Sequence, residues 1–354
     1  MSDYTPNPRL WVAGVLFAGL AGFIGYTLPR NNSAGNVEPV AENVEPVAAK
    51  PDQPTPIEVA ENSKENSKEN SKENFKEDSK ENPKSVFSPP PEDEIPKNEF
   101  GDMVRLGEKI FHDTQGHAKE FVGNSLVCSN CHLDSGRLAN AGPLWAAYVL
   151  YPAYRAKNGH VNSFQERLQG CFLYSMNGKA PAADDKVLVA LESYAYFLAR
   201  GAPTGVQLPG RGYPKLAKPA KFDYDHGQQV YAAKCAVCHG ADGLGQSAAD
   251  RQIVFPPLWG AHSFNWGAGM SSIDNAAGFI KANMPLSQGN TLTDEEAWDV
   301  AAYIDSQERP QDPRFNGSVA ETRKLHHDSP MNMYGQTVNG IVLGQNSPAA
   351  GPPP

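Results

Sequence analysis

Positive charge is in short supply in this chain. Its 31 Lys and Arg face 40 Asp and Glu, leaving a formal net charge of −9 at pH 7. That balance excludes the basic face a nucleic-acid partner needs. Cysteine is scarce too, with five in 354 residues. Four of them fall into two identical short runs and one is left over, a pattern unlike a disulfide framework. Period-two alternation of apolar and polar residues is almost missing, so no sheet is expected to carry the fold.

Long apolar runs are likewise rare. Leu10 to Leu28 gives 19 uncharged, mostly apolar positions, about what a helix needs to cross the hydrocarbon core. Arg9 and Arg30 flank it, so charge does not decide its orientation. No A-x-A-like cleavage site follows closely. Residues 1–30 are therefore expected to be an uncleaved membrane anchor. The alternative is a cleaved signal that leaves a soluble periplasmic protein.

Residues 31–98 read as a disordered tether. Val37 to Ala41 recurs at Val44 to Ala48, and an Glu-Asn-Ser-Lys unit then repeats from Glu61 to Lys84. Such sequence buries too little apolar surface to offset its ordering entropy.

Beyond the tether, one pattern occurs twice. Met103, Leu106, Ile110 and Phe111 lie at helical spacing ahead of Cys128. Asp184 or Asp185 then caps a helix carrying Val187, Leu188, Leu191, Tyr194, Ala195 and Leu198. Asp225 opens a second short helix running toward Cys235, and Thr293 with Glu296 forms a capping box before Trp298, Val300, Ala301 and Ile304. The expected architecture is all-α, with two tandem domains at 99–205 and 219–306. A Gly- and Pro-rich linker (206–218) joins them, and an irregular tail (307–354) follows.

Both cysteine pairs sit in C-x-x-C-H: Cys128-Ser129-Asn130-Cys131-His132 and Cys235-Ala236-Val237-Cys238-His239. Two thiols add across the vinyl groups of a haem, and the next histidine can reach the iron. A zinc site built from two C-x-x-C pairs does not explain a histidine placed identically after both. Each domain is therefore read as a cytochrome c domain with one covalent haem c. Haem attachment of this kind takes place outside the bacterial cytoplasm, in agreement with the N-terminal apolar segment.

Each iron has a further position to fill. Met284-Pro285 lies 45 residues after His239 and 9 before Thr293, where small cytochromes c usually present a methionine ligand. Met270 competes with it. In the first domain the matching slot holds Cys171, 39 residues after His132. Met176 and His160 are its competitors, and a buried unligated thiol is the plain alternative. Ser163 and Glu166 form a capping box and Asn177-Gly178 a stop signal, so a helix of about 14 residues is expected between them. Arg167, Cys171 and Ser175 then share one stripe. A cation, a sulfur and a hydroxyl on one face suggest an anion site beside the iron, to which Arg155, Lys157 and Lys179 could add charge. Arg167 pairing with a haem propionate is the alternative.

The stretch Phe164 to Gly178, FQERLQGCFLYSMNG, and the run Val122 to Asp134, VGNSLVCSNCHLD, resemble the dihaem thiosulfate dehydrogenases, also called tetrathionate synthases. The likeness covers roughly Gly107 to Asp305 and leaves out anchor and tether. It implies an active-site haem ligated by His132 and Cys171, and a relay haem ligated by His239 and Met284. It implies that Arg167 and Ser175 act with Cys171 at the substrate, and that Arg155 or Lys157 supplies a further basic position. Some members carry a lysine just before the methionine as an alternative ligand; here that position is Asn283. The implied reaction joins two thiosulfates into tetrathionate and passes two electrons to a soluble cytochrome or a membrane oxidoreductase. The rival expectation is a membrane-tethered electron-transfer cytochrome with no substrate chemistry.

Overall fold

Helix α1 (Glu99–His112) begins where Asn98 accepts a hydrogen bond from the Gly101 amide at 3.0 Å. It carries Val104, Ile110 and Phe111 on its buried face. Helix α2 (Phe164–Gly170) starts at the expected capping box: Ser163 Oγ accepts from the Glu166 amide at 3.1 Å, and the Glu166 carboxylate accepts from the Ser163 amide at 2.8 Å. Of the two candidate caps for α3 (Lys186–Leu198), Asp185 serves. Helix α4 (Tyr224–Lys234) is capped by Asp223 rather than Asp225, because the Asp223 carboxylate reaches the His226 amide at 3.0 Å. Helix α5 (Ile273–Asn283) ends on Met284. Helix α6 (Asp294–Asp305) opens with the predicted Thr293–Glu296 box.

These coordinates come from a computed structural model, which describes residues 85–247 and 253–349. The expected anchor (1–30) and most of the expected tether lie outside the described residues. Among the described residues no helix is long and apolar enough to cross a membrane. Strands are short here, as the missing alternation predicts: antiparallel pairs β1 (Ala153–Arg155) with β2 (His160–Asn162), β3 (Gln246–Ser247) with β4 (Ile253–Phe255), and β5 (Thr337–Val338) with β6 (Ile341–Val342).

The fold repeats one crossing. In the first domain α1 packs on α3; a Cβ on Gly107 would lie 2.1 Å from the Ala190 carbonyl oxygen. In the second, α4 packs on α6, and a Cβ on Gly227 would lie 2.1 Å from the Asp299 carbonyl oxygen. Glycine at each crossing lets two backbones approach more closely than any side chain permits. Around the first crossing gather Trp145, Leu188, Tyr194 and Leu198; around the second, Tyr231, Ile273, Ala297 and Trp298.

Two expectations at the domain edges need correction. Ordered structure begins before Glu99: Phe87 packs against Trp145 with the rings tilted, Ile95 is buried, and Arg137 donates to the Pro90 carbonyl at 2.7 Å. The segment 307–354, expected to be irregular, holds helix α7 (Val319–His326) and the β5–β6 hairpin. It buries Arg309, Asp312, His327 and Tyr334. Sparse apolar periodicity hid this, because polar groups anchor the segment. Arg309 meets Asp305 at 3.2 Å with both side chains fully buried, and its guanidinium lies 4.4 Å from the Phe264 ring centre.

Asparagines join the two domains. Asn124 donates to Ser175 O at 2.8 Å and to Ser263 O at 3.0 Å. Asn283 donates to Asn140 O at 3.0 Å and to Phe279 O at 2.9 Å. Asn124 and Asn283 thus give backbone carbonyls of the facing domain a donor, Ser263 O and Asn140 O.

Candidate active site

Each C-x-x-C-H run closes into a tight turn. The His132 amide bonds back to Cys128 O at 3.1 Å and the His239 amide to Cys235 O at 2.9 Å. The Asn130 side chain accepts from the Val127 amide at 2.8 Å and pins the first turn. Both histidines are then oriented alike. His132 Nδ1 lies 2.6 Å from Gly142 O, and His239 Nδ1 lies 2.9 Å from Pro256 O. Those carbonyls accept a hydrogen bond from Nδ1–H and leave Nε2 as the nitrogen that could bind a metal. Burial pushes the His132 pKa down to about 4 and lowers that of His239, so both rings are neutral, as a metal ligand must be.

The donor set of the second domain fits haem c. An apolar cavity in the second domain is lined by Cys235, Cys238, His239 and Met284 together, walled by Phe255, Phe279 and Ile280. The two thiols, the imidazole and the thioether line one apolar space, which is the arrangement a covalently held planar cofactor requires. Met270 lines the same cavity. Ser129, Asn130 and Cys131 of the first motif also border it, so the two haem-attachment turns adjoin one space.

In the first domain α2 does not run on to Asn177 as a single α-helix. It passes at Cys171 into a wide π-turn, Cys171–Ser175, in which the Met176 amide bonds Cys171 O at 2.9 Å. Turns of this kind recur at functional sites, because the extra residue re-aims side chains. Arg167 Nη1 donates to Cys171 Sγ at 3.0 Å. Charge on the Cys171 sulfur is the largest cause of the raised Arg167 pKa. Burial holds Cys128 at about 12 and Cys131 at about 11, and Cys171 adds to both by repulsion. The fifth cysteine thus lies near the first attachment pair.

The other candidate residues of the first domain lie in different settings. Met176 is buried in the first core. His160 is on the exposed hairpin, 2.9 Å from the Glu166 carboxylate. Lys179 is turned toward Glu120 at 3.9 Å. Arg155 is exposed on β1. Lys157, in the turn between β1 and β2, comes to the site: its ammonium lies 3.6 Å from the centre of the Tyr174 ring and donates to Gly267 O. Burial of that end, with Arg314 and Arg167 nearby, pushes its pKa down to about 7.

Comparison with known proteins decides the family. Residues 106–204 match the SoxA/TsdA cytochrome c domain, and residues 222–304 match the model described as cytochrome c oxidase, cbb3-type, subunit III. A thiosulfate dehydrogenase of Thiomonas intermedia is 58% identical over 259 residues, covering 73% of this chain and 82% of the relative. The chain belongs to the thiosulfate dehydrogenase family. The Stutzerimonas stutzeri thiosulfate dehydrogenase is 57% identical over 265 residues, 74% of this chain and 86% of its own length. The solved thiosulfate dehydrogenase (TsdBA) from Marichromatium purpuratum superposes with a TM-score of 0.70 at 52% identity, over 73% of this chain. This chain spans 57% of that longer one. Two cytochrome c domains in this family carry two haem c groups.

Three features of the site escaped the sequence. Asn265, fully buried, donates its side-chain amide to Leu173 O at 2.9 Å and its backbone amide to Tyr174 O at 3.2 Å. With Asn124 on Ser175 O, it satisfies the last carbonyls of the turn that bears Cys171. The third is Arg314, whose guanidinium lies 5.1 Å from the Tyr174 ring centre. Asn124 stands within the run that resembles the family, so it alone had a signal.

Proposed function

We propose that this protein interconverts two thiosulfates and one tetrathionate with transfer of two electrons. The first haem would be held by Cys128, Cys131, His132 and Cys171, and the second by Cys235, Cys238, His239 and Met284. The bound haems supply one-electron acceptors and a path to a redox partner. The observation that carries this reading is the Arg167–Cys171 contact on the π-turn, since a thiolate under a guanidinium is a usable nucleophile for a sulfur anion.

The chain's own residues must overcome anion repulsion. Two dianions at 4 Å repel by roughly 4 kcal/mol even in water. Arg167 and Lys157 supply compensating charge, and Ser175 offers a hydrogen-bond donor one turn on. The Cys171 sulfur forms a bond to the sulfane sulfur of one thiosulfate as two electrons leave. A second thiosulfate then attacks that sulfur, and the Cys171 thiolate departs as tetrathionate forms. Charge balances at each stage: two thiosulfates give one tetrathionate and two electrons. Asn283 gives no amine beside Met284, and its amide is engaged by Asn140 and Phe279, which favours constant ligation there.

The uncharged segment Leu10 to Leu28 supports attachment to the periplasmic side of the bacterial inner membrane, with the globular part held off the bilayer by a spacer. The electron partner would be a soluble cytochrome or a membrane oxidoreductase. The test is holoprotein with thiosulfate and ferricyanide. Tetrathionate is the expected product, and Cys171→Ala abolishes it. Full turnover in that variant would remove Cys171 from the chemistry. No tetrathionate from wild type would leave an electron carrier.

A further inference from the structure

The basic residues near Cys171 carry more positive charge than the surrounding protein balances. Arg314 comes from the segment after α6, which the repeated cytochrome architecture does not require. Its guanidinium is held by Asp312, Nε at 2.9 Å and Nη2 at 2.6 Å. The same carboxylate receives His327 Nε2 at 2.8 Å, so its capacity is already shared. Arg314 lies against the Tyr174 ring, and Lys157 covers that ring as well. Tyr174 is three residues from Cys171 on the π-turn. Among the described residues Lys157 meets a carbonyl and an aromatic ring but no carboxylate. Gly267 makes room for this stack, since a Cβ there would lie 2.4 Å from Tyr174 Cδ1. The hairpin, the second domain and the C-terminal segment thus converge on one tyrosine, bringing two basic side chains and one carboxylate, Asp312, which is already engaged by Arg314 and His327. Like charges are gathered this way at a cost unless an anion completes them.

We propose that Lys157 and Arg314, set against Tyr174, form a second anion subsite that receives the thiosulfate not bonded to Cys171, and that they grip the far sulfonate of tetrathionate. The inference rests on the thiosulfate reading above and extends it to a residue of the C-terminal segment. Arg314 holds the anion by charge and by its planar donor fork, which suits a sulfonate.

The test is equilibrium binding of tetrathionate to fully oxidised holoprotein, measured by calorimetry, where no electrons are available to cleave it. Arg314→Gln weakens binding roughly tenfold or more, as loss of a charge-assisted contact requires. Arg314→Lys recovers part of that affinity. Asp312→Asn frees the guanidinium and leaves binding equal or tighter. A merely structural role predicts the opposite, because Asp312→Asn would break the same bridge and weaken binding alongside Arg314→Gln. That pattern, or Arg314→Gln within about twofold of wild type, overturns the proposal. Should Arg314→Gln fail to fold, Lys157→Met gives the same roughly tenfold loss, and unchanged affinity in that variant overturns it equally. A wild-type protein that binds neither tetrathionate nor thiosulfate refutes the thiosulfate reading itself.

Discussion

Replacing Arg167 by Gln removes the one cation that, among the described residues, hydrogen-bonds the Cys171 sulfur, at 3.0 Å. A hydrogen bond to a charged group contributes about 1.5–3 kcal/mol. Donors to a ligating sulfur withdraw electron density and so favour the reduced iron. For a one-electron couple a tenfold change in equilibrium is about 59 mV, so the loss lowers the potential of the first haem by roughly 60–130 mV. The second haem, which on the proposed assignment would occupy the cavity lined by His239 and Met284, keeps its potential and serves as an internal control. Spectroelectrochemical titration of both haems in wild type and Arg167→Gln measures this without substrate. A shift in the first haem of less than about 20 mV, or a rise, would refute the idea that the guanidinium tunes a ligated sulfur.

Asn265→Leu strips the Leu173 carbonyl of its donor, the Asn265 side-chain amide, and the Gly267 backbone amide of its acceptor, the Asn265 side-chain oxygen. The expected loss is about 2–5 kcal/mol of unfolding free energy by denaturant titration, and a value under about 1 would show the clamp to be idle. His226 Nδ1 lies 2.8 Å from Asp299 Oδ2, and that hydrogen bond raises its pKa above the ordinary 6.5. The bond therefore stabilises the fold fully below 6.5 and is lost as pH climbs through the raised value. His226→Gln flattens that part of the stability–pH curve; an unchanged slope would mean the pair does not couple to folding. Arg309→Met leaves Asp305 buried without its cation, and should cost about 3–5 kcal/mol in denaturant unfolding. Asp305→Asn in the same background should recover part of that loss.

The parts of this fold that were legible follow from chemistry that tolerates little variation. Both C-x-x-C-H runs, at Cys128 to His132 and at Cys235 to His239, close into the same tight turn, because the fixed spacing leaves the backbone little choice. Capping boxes at Ser163 and Thr293 each pair two side chains with two amides, so they survive as local patterns. Asp223 caps α4 in place of Asp225 because the helix starts two residues earlier than a cap at Asp225 implies. The spacing of Arg167, Cys171 and Ser175 predicts one regular helix, where the structure has a π-turn from Cys171. The π-turn was hidden because the carbonyls it exposes are satisfied by Asn124 and Asn265 from distant sequence. The C-terminal segment looked irregular since its order depends on buried polar pairs, Arg309 with Asp305 and Asp312 with His327 and Arg314, rather than on apolar period. Arg314 could not be placed at Tyr174 from sequence for the same reason: nothing local links residue 314 to residue 174.

The most direct measurement is low-temperature EPR of the fully oxidised holoprotein, wild type beside Cys171→Ala. One low-spin signal of thiolate–imidazole character is expected in wild type and should vanish in the variant, while the methionine-ligated signal stays. Two haems that both lack sulfur-anion ligation, with identical spectra from the two proteins, would contradict the account.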